Sequence, residues 1–183
     1  LKAEAAAKKK AEKDAAKASA APPASAAASA RSKAKAGAAD EEELDPTQYF
    51  ANRSRAIAQL EEEGTNPYPH KFHASISIPE FVAKFKDVEV GEKQSDLISL
   101  AGRIVKKREQ GKLLFYGIKA DGANVQVMAS LSDYEGGEEA FWQTNGLLRR
   151  GDVIGVTGYP GKSKKGELSV FPTTMLLLAP CLH

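Results

Sequence analysis

From Asp96 onward the apolar residues stop recurring every three to four positions and begin to alternate, with glycines between the runs. This change of period constrains the chain more than any other feature, because alternation gathers apolar side chains on one face of an extended strand. Runs at 97–107, 112–119, 123–129, 152–159 and 167–178 read as strands. Between the third and fourth lies SDYEGGEEAFWQTNGLL, whose acidic opening and apolar Phe141, Trp142, Leu147 and Leu148 predict a helix.

Three strands, a helix and two strands is the order of a five-stranded Greek-key barrel of the OB type, which binds oligonucleotides on the face of strands 2 and 3. The expected fold is mainly β, with the barrel in 96–183 and a helical lead-in over 40–95. In that lead-in, Asp45-Pro46-Thr47-Gln48 predicts a helix start, with Asp45 as cap, Pro46 in the first turn and Gln48 reaching back. Tyr49, Arg53, Ile57 and Leu60 share a stripe, and Gly64 supplies the stop. Ser77 to Glu80 repeats the capping-box spacing before a second, short helix with Phe81 and Phe85 four apart.

The net charge of +2 conceals a segregated chain. Residues 1–39 hold 19 alanines, no aromatic residue, and nine Lys+Arg against three Asp+Glu. Residues 40–95 hold six against twelve, and 96–183 eleven against nine. The opening stretch can bury almost nothing, so it reads as a disordered or partly helical basic tail and a flexible linker. Lys9, Lys10, Lys13 and Lys17 would form one cationic face on it. Such a distribution suits a polyanion, either a nucleic acid or an anionic surface. The lone Cys181 cannot form an internal disulfide, and no apolar run is long enough to span a bilayer, so a reducing, cytoplasmic setting without membrane is expected. Opening on Leu1 and stopping in LLLAPCLH, the sequence reads as a fragment.

Parity sorts each strand into two faces. If Leu100, Gly102, Ile104, Leu114, Tyr116, Ile118, Val125, Val127, Ala129, Leu168 and Val170 form the core, then Arg103, Phe115, Gln126 and Glu167 project outward. An outward aromatic flanked by amide and charged groups can stack on an unpaired base and read its edge. The plainer alternative is a phenylalanine packed under a loop among solvated polar residues. Lys106, Lys107, Arg108 and Lys112 flank the first hairpin turn, and Lys162, Lys164 and Lys165 the last. Of these, Lys106, Arg108, Lys112, Lys162, Lys164 and Lys165 are candidate phosphate contacts, which position a nucleic acid without reading it. Gly161-Lys162-Ser163 lacks the register of a phosphate-binding loop, because Val156 stands where its first glycine belongs. His70, His73, Cys181 and His183 have no metal-site spacing. No catalytic residue, metal ligand or cofactor site is read from this chain.

LDPTQYFANRSRAIAQL, NPYPHKFHASISIPEF, LAGRIVKKREQGKLLFYGIKADG, VQVMAS, LLRRGDVIGVTGYPGKSKKGELSVFP and LLLAPCLH resemble the N-terminal region of eukaryotic cytosolic lysyl-tRNA synthetases over about 44–183. The lysine-rich tail is similar in kind to that family's N-terminal extension. The resemblance implies an anticodon-binding barrel. In it the central uridine of lysine tRNA would be held by Phe115, Gln126 and Glu167, with Arg103 as a further contact. It also implies that ATP and magnesium belong to a catalytic domain outside this fragment, and that the whole protein is a homodimeric, ATP-dependent lysine–tRNA ligase. The chain departs from the family at Gly117, Ile118 and Lys119, where an Asp-Leu-Arg run is more usual. Two other readings stay open: a single-strand binder without base preference, and an interaction scaffold whose alanine-rich tail binds a protein or acidic lipid.

Overall fold

The structure, a computed structural model, describes residues 45–183. The expected partly helical tail with Lys9, Lys10, Lys13 and Lys17, and the linker after it, lie outside the described residues. Helix α1 spans Pro46–Glu62 and α2 spans Ile78–Phe85. Strands β1 (Ile98–Gln110), β2 (Leu113–Ala120) and β3 (Ala123–Ser130) follow, then α3 (Gly137–Leu147), β4 (Val153–Lys162) and β5 (Leu168–Ala179). The five strands close into a barrel in the order β1-β2-β3-β5-β4, with β1 pairing to β4 and β3 running parallel to β5. This is the mainly β barrel with two leading helices that the period change predicts.

Local chemistry sets the connections. Asp121 and Gly122, both at positive φ (51° and 81°), join β2 to β3, as a two-residue turn of type I′ requires. Helix α1 ends in a Schellman motif: Gly64 at φ 81° donates its N–H to the Glu61 carbonyl, and Thr65 donates to that of Leu60. The capping box expected at Ser77 and Glu80 forms in both directions, and the two Ser77 hydrogen bonds hold the Glu80 carboxyl below its usual range. The box expected at Asp45 does not form, since Asp45 makes no side-chain cap. Asp45 and Gln48 are exposed, so the first N–H groups of α1 have solvent available and gain little from a side-chain partner.

Every core residue named from parity is interior: Leu100, Ile104, Tyr116, Ile118, Val127, Ala129 and Val170 are fully buried, and Leu168 packs against them from its edge. Helix α2 adds Ile78, Phe81 and Phe85, the two rings 5.1 Å apart, and Ile78 lies over Gly102. Helix α3 contributes Phe141 and Trp142, whose rings meet edge to face at 5.0 Å. Burial pushes the Tyr116 phenol well above its ordinary pKa, so it stays protonated and donates to Asn145 Oδ1 at 2.6 Å.

The apolar stripe of α1 docks through Ile57 and Arg53, which are 7% and 5% exposed. Arg53 Nη2 reaches Asp152 Oδ2 at 2.6 Å, and Nη1 donates to the Leu147 carbonyl at 3.1 Å. Asp152 is fully buried and also accepts the N–H groups of Arg149 and Cys181, each at 2.7 Å. Removing one partner of such a pair strands a buried charge. Asp152→Ala should therefore lower unfolding free energy by about 3–5 kcal/mol in urea denaturation, with a fold that still binds less tightly to its own lead-in helix.

Candidate nucleic-acid interface

The outer face of β1, β2 and β3 is built by pairing register. A β-bulge falls between Ile104 and Lys106 in β1. Before it, Ile104 points inward opposite Ile118; after it, Lys106 lies opposite Gly117 and Arg108 opposite Phe115. The extra residue, Val105, absorbs one step of alternation, so Lys106 and Arg108 come onto the outer face and Lys107 turns in. Lys107 Nζ donates to the carbonyls of Asn145 and Leu148, both at 2.8 Å, at the C-terminal end of α3. Of the four cations around the first turn, this one is structural.

Three rows cross the face. Arg103, Lys119 and Asn124 form the first; Lys106, Gly117, Gln126 and Ser169 the second; Arg108, Phe115 and Met128 the third. Phe115 and Gln126 are thus diagonal neighbours, about 7–8 Å apart in an antiparallel pair. Both are half-buried, so one side of each rests on the sheet while the other is open. Gly117 leaves the space between Lys106 and Gln126 without a side chain, although a Cβ there would meet Lys106 Cβ at an ordinary 3.5 Å. Arg103 sits four β2 positions from Phe115, about 13 Å along the strand at ~3.3 Å per residue. Its Nη1 donates to the Gly151 carbonyl at 2.6 Å.

Parity alone did not single out Ser169, which joins this site. It is fully buried, accepts from Gln126 Nε2 at 3.0 Å, and donates to the Glu167 carbonyl at 3.0 Å. The available signal was that Ser169 shares the face of Glu167, two residues away. Glu167 itself is exposed, with its N–H on Ser163 Oγ at 3.2 Å. Lys164 and Lys165 occupy the exposed tip of the β4–β5 turn, where Gly166 adopts φ 83°. Lys112 is exposed in the β1–β2 turn. Lys162 is half-buried and donates to the Lys86 carbonyl at 2.7 Å, tying the lead-in to the barrel. Among the described residues no helix is long and apolar enough to cross a membrane.

The family described as OB-fold nucleic acid binding domain, of the tRNA anticodon type, matches residues 98–178. A lysine–tRNA ligase of Cladosporium cladosporioides is 42% identical over 152 residues, which is 79% of this chain and 25% of that protein. A probable cytoplasmic lysine–tRNA ligase of Encephalitozoon cuniculi is 34% identical over 143 residues, 78% of this chain and 27% of that one. A lysine–tRNA ligase of Thermotoga maritima is 31% identical over 137 residues, with shares of 74% and 27%. The chain spans about a quarter of the length of these relatives.

The inward and outward cations should separate by experiment. Lys107→Ala leaves two carbonyls without their cation and should cost about 1–2 kcal/mol of stability. Lys106→Ala should stay within about 0.5 kcal/mol of the parent in the same denaturant titration.

Proposed function

From a chain whose residues 98–178 belong to the tRNA anticodon class of OB-fold nucleic acid binding domains, with lysine–tRNA ligases as its homologues, we propose a reader of the lysine tRNA anticodon. In this reading Phe115 stacks on the central uridine, Gln126 and Glu167 meet its edge, and Arg103 makes a further contact. The observation that carries it is the diagonal pairing of a half-buried Phe115 with Gln126 on the outer face of β2 and β3. A phenyl ring resting on a sheet offers one π-face without needing to be ordered first, and a neighbouring amide supplies the hydrogen bonds that stacking lacks. Lys106 and Arg108 on the rows of that pair, Lys112 in the β1–β2 turn, and Lys162, Lys164 and Lys165 at the β4–β5 turn serve phosphates in this reading. Lysine–tRNA ligation with ATP and magnesium, homodimer formation and a cytoplasmic setting are proposed for the whole protein.

Phe115→Ala should weaken binding of a lysine anticodon stem-loop by about 1–3 kcal/mol with the barrel intact, while Gln126→Ala should instead lower the preference for uridine at the central position. Fluorescence titrations with stem-loops carrying uridine or another base there decide the matter. Equal affinity for both in the parent protein would leave a stacking protein without base preference.

The tail, in the same proposal, adds affinity without selectivity. It holds nine Lys+Arg against three Asp+Glu and no aromatic residue, so it has charge for phosphates and nothing to stack on a base. Each phosphate it neutralises adds roughly 0.7–0.9 to the salt slope. Deletion of residues 1–39 should flatten the salt dependence and lower affinity for cognate and non-cognate tRNA alike. A selective loss of cognate binding, or an unchanged slope, would remove the tail from this role.

A further inference from the structure

Resting on the reading of Gln126 as a base-edge contact, we infer that Ser169 is a positioning residue that fixes which end of the Gln126 amide faces the base. A primary amide has an acceptor oxygen and a donor NH2 of nearly equal size, so a free glutamine can present either. Here the choice is imposed from behind. The Glu167 backbone carbonyl can only accept, and it takes the single Ser169 hydroxyl proton at 3.0 Å. Ser169 Oγ is left with lone pairs only, so the group it meets must donate, and Gln126 Nε2 does so at 3.0 Å. The Glu167 carbonyl is itself held by the Ser163 N–H at 2.9 Å, within the β4–β5 turn. Because Ser169 is fully buried, no water competes for its hydroxyl.

The chain from Gln126 through Ser169 to Glu167 therefore runs in one direction: one of the two Nε2 N–H groups is spent on Ser169, and with Nε2 turned to the buried side Oε1 is, in this inference, the acceptor offered to the base. An acceptor in that place selects a pyrimidine whose N3 carries a proton. Uracil has N3–H there, whereas cytosine has a bare N3 lone pair that would face another lone pair. With the hydroxyl removed, the amide is free to reverse and to offer N–H to cytosine. Ser169 would thus govern uridine against cytidine, whereas Phe115, which stacks on either ring, would not. It joins the three residues Gln126, Glu167 and Ser163 into one polar device spanning β3 and the last hairpin.

The test uses the full chain with two stem-loops differing only by uridine or cytidine at the central anticodon position. The parent should prefer uridine, and Ser169→Ala should reduce that ratio about tenfold, the scale of one neutral hydrogen bond, through tighter cytidine binding as much as weaker uridine binding. Ser169→Thr, which keeps the hydroxyl, should retain the ratio. A folded Ser169→Ala protein with the parent ratio, or a folded Ser169→Thr protein that loses it, overturns the inference while sparing the site. A parent protein with no uridine preference overturns the site reading and the inference together. Side-chain amide exchange by NMR needs no variant: the Gln126 NH2 should exchange more slowly than that of exposed Gln143. Equal exchange rates would overturn the inference even if neither variant folds.

Discussion

The buried pair of Arg53 and Asp152 is the contact on which the arrangement of the parts depends. Its members lie 99 residues apart in sequence, in α1 and at the mouth of β4, and their side chains are 4% and 0% exposed. Taking two charges from water is costly, and the cost is recovered only when the remaining hydrogen-bonding capacity is used. Asp152 uses it, since its two oxygens collect the guanidinium, the Arg149 N–H and the Cys181 N–H. Among the described residues Arg53 Nε has no hydrogen-bond partner, so the pair is incompletely compensated. An apolar pair would pack α1 against the barrel without that cost, but it would not fix the helix, the α3–β4 connection and the chain after β5 to one carboxylate. The pair specifies register more than it adds stability.

That register reaches the outer face through the backbone. Asp152 O accepts the Ile104 N–H at 2.8 Å, and the Gly151 N–H returns to Ile104 O at 2.8 Å. These bonds lie just before the bulge that reverses parity in β1. The same loop offers the Gly151 carbonyl to Arg103. A shift of one residue there would exchange Lys106 and Arg108 for Val105 and Lys107 on the outer face, and would turn Lys106 and Arg108 inward while taking Lys107 from its place over the Tyr116 ring. The buried charge and the exposed charges are thus set by the same few residues.

The core was legible because it is a local property: strand periodicity needs no knowledge of partners, and Leu114, Tyr116 and Ile118 follow from alternation alone. The Gly64 stop and the Ser77 box were legible for the same reason, since each is a few residues of backbone chemistry. The bulge was not, because nothing in GRIVKKREQ says that β2 will skip Val105; that is decided by the partner strand and the Gly151 loop. Hence the inward turn of Lys107 could not be seen. Ser169 was invisible for a different reason, being a small residue on the expected face whose importance comes only from a β3 side chain 43 residues away. Arg53 gave half a signal: an arginine within an apolar stripe implies a buried acid, but not which one.

In the proposed reading, placement on a paired strand or in an exposed turn separates identity from affinity. Phe115, Gln126 and Ser169 stand on strands whose neighbours are paired on both sides, so their orientation is fixed before any ligand arrives. Lys112, Lys164 and Lys165 stand in turns and are exposed, where a charge acts over several ångströms and tolerates movement. A hydrogen bond weakens steeply as its angle degrades, whereas a screened attraction to a phosphate changes little with orientation. Polar groups that read an edge therefore belong on the sheet, and cations that hold a backbone belong in the turns. In the proposed reading, substitutions in the turns should alter binding to any nucleic acid in proportion, while loss of one buried hydroxyl behind Gln126 should alter which base is accepted.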